Sequence, residues 1–207
     1  MVSRARVAIL ISGRGSNMAA LIYAARADDC PYEVALVTGD KPDAPGLALA
    51  EAEGVPILRL DAKKAGTSYW NDLQSELSKA GIDTIALAGF MRIIPADFVT
   101  RWAGWMVNIH PSLLPDHRGL KAHQSVLAAG DRVTGATVHL VSDDVDSGAI
   151  LGQVAVAVLP GDTADTLATR VLIAEHQLYP RILSAFVTRE REPTSFGDAT
   201  STCSGQA

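Results

Sequence analysis

In the first half of the chain, short β-branched or apolar runs alternate with longer Ala- and Leu-rich stretches, and few folds accept that rhythm. Two parallel strands need a crossover of a dozen or more residues between them, and a helix supplies it, so the pattern specifies βαβ units and a mainly parallel sheet. Strands are expected at 6–11, 33–38, 55–60, 84–87 and 106–109, with helices at 17–27, 45–52 and 67–79. Gly54 and Gly81 follow two of these helices, where C-terminal glycines are common. Further on, residues 134–141 and 151–159 read as two strands about a polar turn, possible antiparallel neighbours. One long helix follows from about Thr163, with Asp162 or Thr163 as its cap. The expected fold class is α/β: a mainly parallel twisted sheet with helices on both faces, an antiparallel element in the C-terminal half and a long C-terminal helix.

With 207 residues, 48% of them hydrophobic and 20% charged, the chain can bury one substantial core, and no linker or internal repeat divides it. A net charge of −5 argues against a nucleic-acid partner, because such binding draws on Lys and Arg neutralising phosphates. Cys30 and Cys203 stand far apart and outside any CxxC or Cys/His cluster, so no disulfide framework or zinc site is expected and a reducing cytoplasm fits. The apolar run at 7–11 is too short for a secretion signal or a membrane span, so no membrane association is expected. From Arg189 onward the chain is rich in Ser, Thr, Gly, Glu and Pro without apolar periodicity, and 189–207 is expected to be a mobile tail.

After the first strand comes Ser12-Gly13-Arg14-Gly15-Ser16-Asn17, and a helix begins at once. Glycines let the backbone approach a ligand, and the free N–H groups and dipole of a helix start favour an anion such as a phosphate. Ser16 and Asn17 add side-chain donors. Met18 stands where a dinucleotide loop wants a small residue, and the Lys-Ser/Thr pair of a nucleoside-triphosphate loop is missing, so NAD and ATP are both disfavoured. A tight turn without a ligand is the plainer reading.

Asn108-Ile109-His110-Pro111 follows a strand, so Asn108 and His110 share one side of it and face one pocket at the edge where parallel sheets bind ligands. Asp146 lies in the polar turn Ser142-Asp143-Asp144-Val145-Asp146-Ser147-Gly148. Its carboxylates lack the ligand pattern of a calcium loop, and no metal is expected.

Three separated segments resemble the folate-dependent phosphoribosylglycinamide formyltransferases. They are Ile11-Ser12-Gly13-Arg14-Gly15-Ser16-Asn17; then Leu87-Ala88-Gly89-Phe90-Met91-Arg92-Ile93 with Asn108-Ile109-His110-Pro111-Ser112-Leu113-Leu114-Pro115; and Asp146-Ser147-Gly148 with Glu175-His176. The Asn-x-His-Pro segment is shared by other formyl-folate enzymes. Methionyl-tRNA formylation would be expected to need an added RNA-binding domain, and the related deformylase a regulatory one.

The resemblance implies a single domain over 1–188 with a Rossmann-like, phosphate-binding half at about 1–105 and a folate and catalytic half at about 106–188. It implies transfer of a formyl group from 10-formyltetrahydrofolate, as co-substrate and without a metal, to the amine of glycinamide ribonucleotide. Asn108, His110 and Asp146 would be catalytic. Gly13, Gly15, Ser16, Asn17, Pro111 and Glu175 would bind the ribonucleotide. Met91, Arg92, Ile93, Ile94, Asn108, Ser142, Asp143 and Asp144 would bind the folate. The partners are then small molecules, and the chain a monomer or homodimer. Arg14 departs from an Asn common in the loop, Lys121-Ala122-His123 stands where a His-x-His stretch is usual, and Lys63 or Lys64 is the nearest stand-in for a basic residue that meets the folate's glutamate tail. Asp116-His117-Arg118-Gly119 carries a slight likeness to the branch acting on amino-sugar nucleotides, the alternative substrate class.

Overall fold

The protein is seen in a computed structural model that describes residues 4–189; most of the expected tail lies outside the described residues. Five strands, β1 (Ala5–Ile11), β2 (Tyr32–Gly39), β3 (Ile57–Arg59), β4 (Thr84–Leu87) and β5 (Met106–His110), run parallel. β6 (Val133–Leu140) joins β5 antiparallel, and β7 (Ile150–Ala157) joins β6 antiparallel. The order across the sheet is β3-β2-β1-β4-β5-β6-β7. This is the architecture expected, although β3 is only three residues long at the edge.

β1 shows why the sheet is covered on both sides. Val7, Ile9 and Ile11 pack with Met18, Leu21 and Leu47 of α1 (Ser16–Ala24) and α2 (Pro45–Ala52), and with Leu167, Val171 and Leu183 of α7 (Ala164–Thr188). Ala8 and Leu10 point the other way, into a second cluster with Ile85, Leu87 and residues of the helices below. A strand buried on both faces has no polar side, hence its unbroken apolar run.

On that second face lie α3 (Ala62–Ala65), a single 3₁₀ turn at Gly66–Ser68, α4 (Tyr69–Lys79) and α5 (Ala96–Arg101). α4 buries Tyr69, Leu73 and Leu77, one stripe at four-residue spacing. Sequence reading did not find α5 or α6 (Ala122–Ala129): six residues are too few for a helical period to stand out, and α6, as short as α2, lacks the proline that marks the start of α2. α7 starts as expected at a Thr163 cap: Thr163 Oγ1 accepts the Thr166 N–H (3.2 Å) and Thr166 Oγ1 accepts the Thr163 N–H (2.9 Å). The buried Tyr179 hydroxyl donates to the Leu87 carbonyl (2.9 Å), pinning α7 to the end of β4.

The strand order reverses between β1 and β4, and ligands of open α/β sheets bind in the crevice at the carboxyl ends of such a pair. The two loops that leave there are tied together. Ser12 N–H donates to the Gly89 carbonyl (3.1 Å), and Met91 N–H donates to Ser12 Oγ (2.8 Å). Gly15 has φ +74° at the start of α1, a conformation that side chains resist. Gly46, at the start of α2, donates to the Gly13 carbonyl (3.0 Å). A Cβ there would stand 2.9 Å from that oxygen and 2.5 Å from Ile11 Cδ1. The Ile11 tip can turn aside; the loop carbonyl cannot. Gly46→Ala should therefore destabilise the fold by about 1–3 kcal/mol in urea unfolding. Parental stability would mean that the glycine loop has slack at this point.

Candidate active site

Asn108 and His110 leave β5 on the same side, while Ile109 between them enters the core. β6 lies antiparallel beside them in a register that sets His139 opposite Asn108. Asp146 comes from the loop after β6, with φ +51°, a left-handed conformation that Asp tolerates better than most residues. Its Oδ2 lies 3.2 Å from His110 Nδ1 and accepts the Gly119 N–H at 3.0 Å, while its Oδ1 lies 3.5 Å from His139 Nε2. One buried carboxylate thus spans two imidazoles.

The acceptors around the rings fix where protons sit. His139 Nδ1–H donates to the Leu140 carbonyl (2.8 Å), and its Nε2 lies between Asn108 Nδ2 (3.3 Å) and Asp146 Oδ1 (3.5 Å). His110 Nε2 meets the His117 carbonyl at 2.9 Å, which can only accept, and its Nδ1 faces the carboxylate. Only the doubly protonated ring satisfies both. An oxygen reaching His110 would share Nε2–H with that carbonyl. For Asp146, burial favours the neutral acid, but hydrogen bonds from His139 and Gly119 and the charges of His110 and His139 together outweigh it. Its pKa is lowered, and the carboxylate is charged at neutral pH. His123, in the first turn of α6, has its pKa lowered by burial and then by the neighbouring His110 charge.

Asn108, His110, His139 and Asp146 line a cleft of about 370 Å³. Met91, Ile93 and Val145 stand on its rim, Met91 61% and Ile93 82% exposed, an apolar edge of the kind that marks a ligand site. Ile94, Pro111, Ser142 and Asp143 also line it. Arg92 lines it too, its guanidinium 5.3 Å from the Tyr69 ring centroid. Asp144 does not. Its carbonyl instead closes the loop by accepting from Ser142 (3.1 Å) and Ser147 (2.8 Å). Lys63 is exposed on α3.

The glycine loop is tied to the cleft through Ser12 but does not line it. Gly13 has open space where a Cβ would be, Gly15 sets the bend, and Ser16 opens α1. Asn17 gives its amide to the long helix: Nδ2 donates to Glu175 Oε2 at 2.8 Å, and Oδ1 is buried without a partner among the described residues. Glu175 is 6% exposed, not the solvated charge that a lone helical Glu suggests. Burial raises its pKa, and the Asn17 bond offsets this only partly. A fold that favours the acid form loses stability as pH rises from the ordinary carboxylate range through the raised value. Glu175→Gln should therefore melt higher than the parent at pH 7, and the gap should close on acidification below about pH 4. An equal gap at both pH values in thermal melts would mean that this charge is not what strains the site.

Sequence reading missed His139, Ser12 and Gly46. Only the register between β5 and β6, or contact between loops far apart in the chain, brings them to the site.

A family model described as formyl transferase matches residues 5–183. The phosphoribosylglycinamide formyltransferase of Escherichia coli (strain K12) is 39% identical over 182 residues, 87% of this chain and 86% of that protein. The trifunctional purine biosynthetic protein adenosine-3 of Gallus gallus is 45% identical over 183 residues, and there the chain spans only 18% of the relative's length. A crystal structure of phosphoribosylglycinamide formyltransferase from Brucella melitensis superposes with a TM-score of 0.86 at 46% identity, covering 92% of this chain and 99% of that one. With the mainly parallel sheet, antiparallel C-terminal part and long last helix that the sequence implied, the chain belongs to the formyl transferase family, among the phosphoribosylglycinamide formyltransferases.

Proposed function

We propose that the chain moves the formyl group of 10-formyltetrahydrofolate to the amine of glycinamide ribonucleotide, a step of purine synthesis, and that residues 1–188 act as one domain in doing so. The observation that carries this reading is the meeting of Asn108, His110 and Asp146 in one cleft, with a glycine turn at a helix start tied to it through Ser12.

The apolar rim of Met91, Ile93 and Ile94 suits a flat pterin, with Arg92, Ser142 and Asp143 around it and the Asp144 carbonyl holding their loop closed. The glycine loop would take the phosphate through the backbone N–H groups of Gly15, Ser16 and Asn17. Glu175, beside Asn17, would hold the glycinamide end. The substrate's own amine is the nucleophile, so no activated Ser or Cys is needed. Asn108 offers an N–H to the oxygen that gains charge as the amine adds to the formyl carbon, and His110 supplies positive charge beside it. Asp146 balances that charge and can take, through water, the proton the amine sheds. The new C–N bond leaves the formyl group on the substrate, the old one breaks, and the departing folate nitrogen regains a proton.

Purified protein with glycinamide ribonucleotide and 10-formyltetrahydrofolate should release tetrahydrofolate. Release with amino-sugar nucleotides and none with glycinamide ribonucleotide would overturn the substrate assignment.

A further inference from the structure

The segment Asp116-His117-Arg118-Gly119 has no part in the roles above, yet it grips both members of the His110–Asp146 pair. The His117 carbonyl accepts from His110 Nε2 (2.9 Å), and the Gly119 N–H donates to Asp146 Oδ2 (3.0 Å). Two main-chain groups, two residues apart, hold an imidazole and the carboxylate that faces it.

We propose that His117 is a positioning residue, whose imidazole anchors this turn so that its carbonyl holds the His110 ring in one orientation. The proposal rests on His110 being the charge that assists transfer.

His117 has φ +55°, and a non-glycine residue in the left-handed region costs about 1–2 kcal/mol, so its surroundings must hold it there. They do so from both ends of its side chain. Nε2 lies 2.6 Å from Asp131 Oδ2 and Nδ1 lies 2.8 Å from Ser125 Oγ, which fastens the turn to α6 and the loop after it. From the other side the buried Ser112 hydroxyl donates to the Asp116 carbonyl (2.6 Å) and approaches that of His117 (3.4 Å). Ser125, His117 and Asp131 are the residue types of a hydrolytic row, but none of them lines the cleft, and Ser125 and Asp131 are exposed. The row is an anchor.

The chain has five histidines, so long-range ¹H–¹⁵N correlation spectra can follow the ring nitrogens of His110 individually. In His117→Ala the His110 Nε2 signal should move away from its hydrogen-bonded position. Turnover should fall on the order of 10- to 100-fold, the range seen when a catalytic group is displaced by an ångström or less, with KM for both substrates nearly unchanged. Asp131→Asn, at an exposed position, should move both readouts the same way by less. A merely structural His117 would lower Tm and leave the His110 nitrogens where they are. Unmoved His110 signals, or unchanged or raised kcat, in both variants overturn the proposal. Parental turnover in His110→Ala would remove the catalytic reading instead, and the His117→Ala spectra would still report whether the turn orients the ring.

Discussion

Asn108→Ala is expected to lower kcat on the order of 10²–10³-fold, the usual loss when one donor to a developing oxyanion is removed, with little change in KM for either substrate. Its amide nitrogen has two hydrogens, and the structure engages it once, toward His139 Nε2 at 3.3 Å. The second hydrogen is the one a reacting oxygen can use. The substitution should spare the fold, since Asn108 is only half-buried and His139 keeps its Leu140 bond and the Asp146 oxygen 3.5 Å away. An equal fall in affinity and turnover would point to ground-state binding instead, and a near-parental kcat would take Asn108 out of the oxyanion role.

The unequal legibility of this site in the sequence has physical reasons. Asn108 and His110 could be read as partners because a strand's two-residue period puts them on one side whatever else the fold does. His139 stands 31 residues away, and its place opposite Asn108 is a matter of register, which the strand's own sequence does not record. The burial of Glu175 was legible too. Leu167, Val171, Glu175 and Leu178 form one helical stripe, so it follows from the spacing that made the helix recognisable. Asn17 was taken for a phosphate donor on its position at a helix start. Its neighbour across the fold, Glu175, turns the side chain elsewhere, and the backbone N–H remains for an anion. The parallel half was read correctly because strands buried on both faces are apolar throughout. α5 escaped notice because tertiary contacts, not its own periodicity, hold a helix that short, and α6 because no proline opens it as Pro45 opens α2.

Asp146→Asn should be the more damaging change, with turnover falling on the order of 10³-fold or more, as when the carboxylate that orients a catalytic histidine becomes an amide. Shape is preserved: the amide oxygen can still accept the Gly119 N–H. What goes is the charge shared by His110 and His139. With the amide oxygen in that place, His110 Nδ1 faces a neutral acceptor where the parent has a carboxylate, and the charged ring loses its counter-charge. Stability should respond as well. Because the fold lowers the Asp146 pKa, the parent gains stability from the charged form above the ordinary carboxylate range and loses it as pH falls through the lowered value. The variant should melt below the parent at pH 7 and match it only in acid below about pH 4. Turnover at neutral pH and melting in acid therefore report on the carboxylate separately. A variant with the parent's turnover would show that the His110–Asp146 contact holds the structure together without serving the reaction.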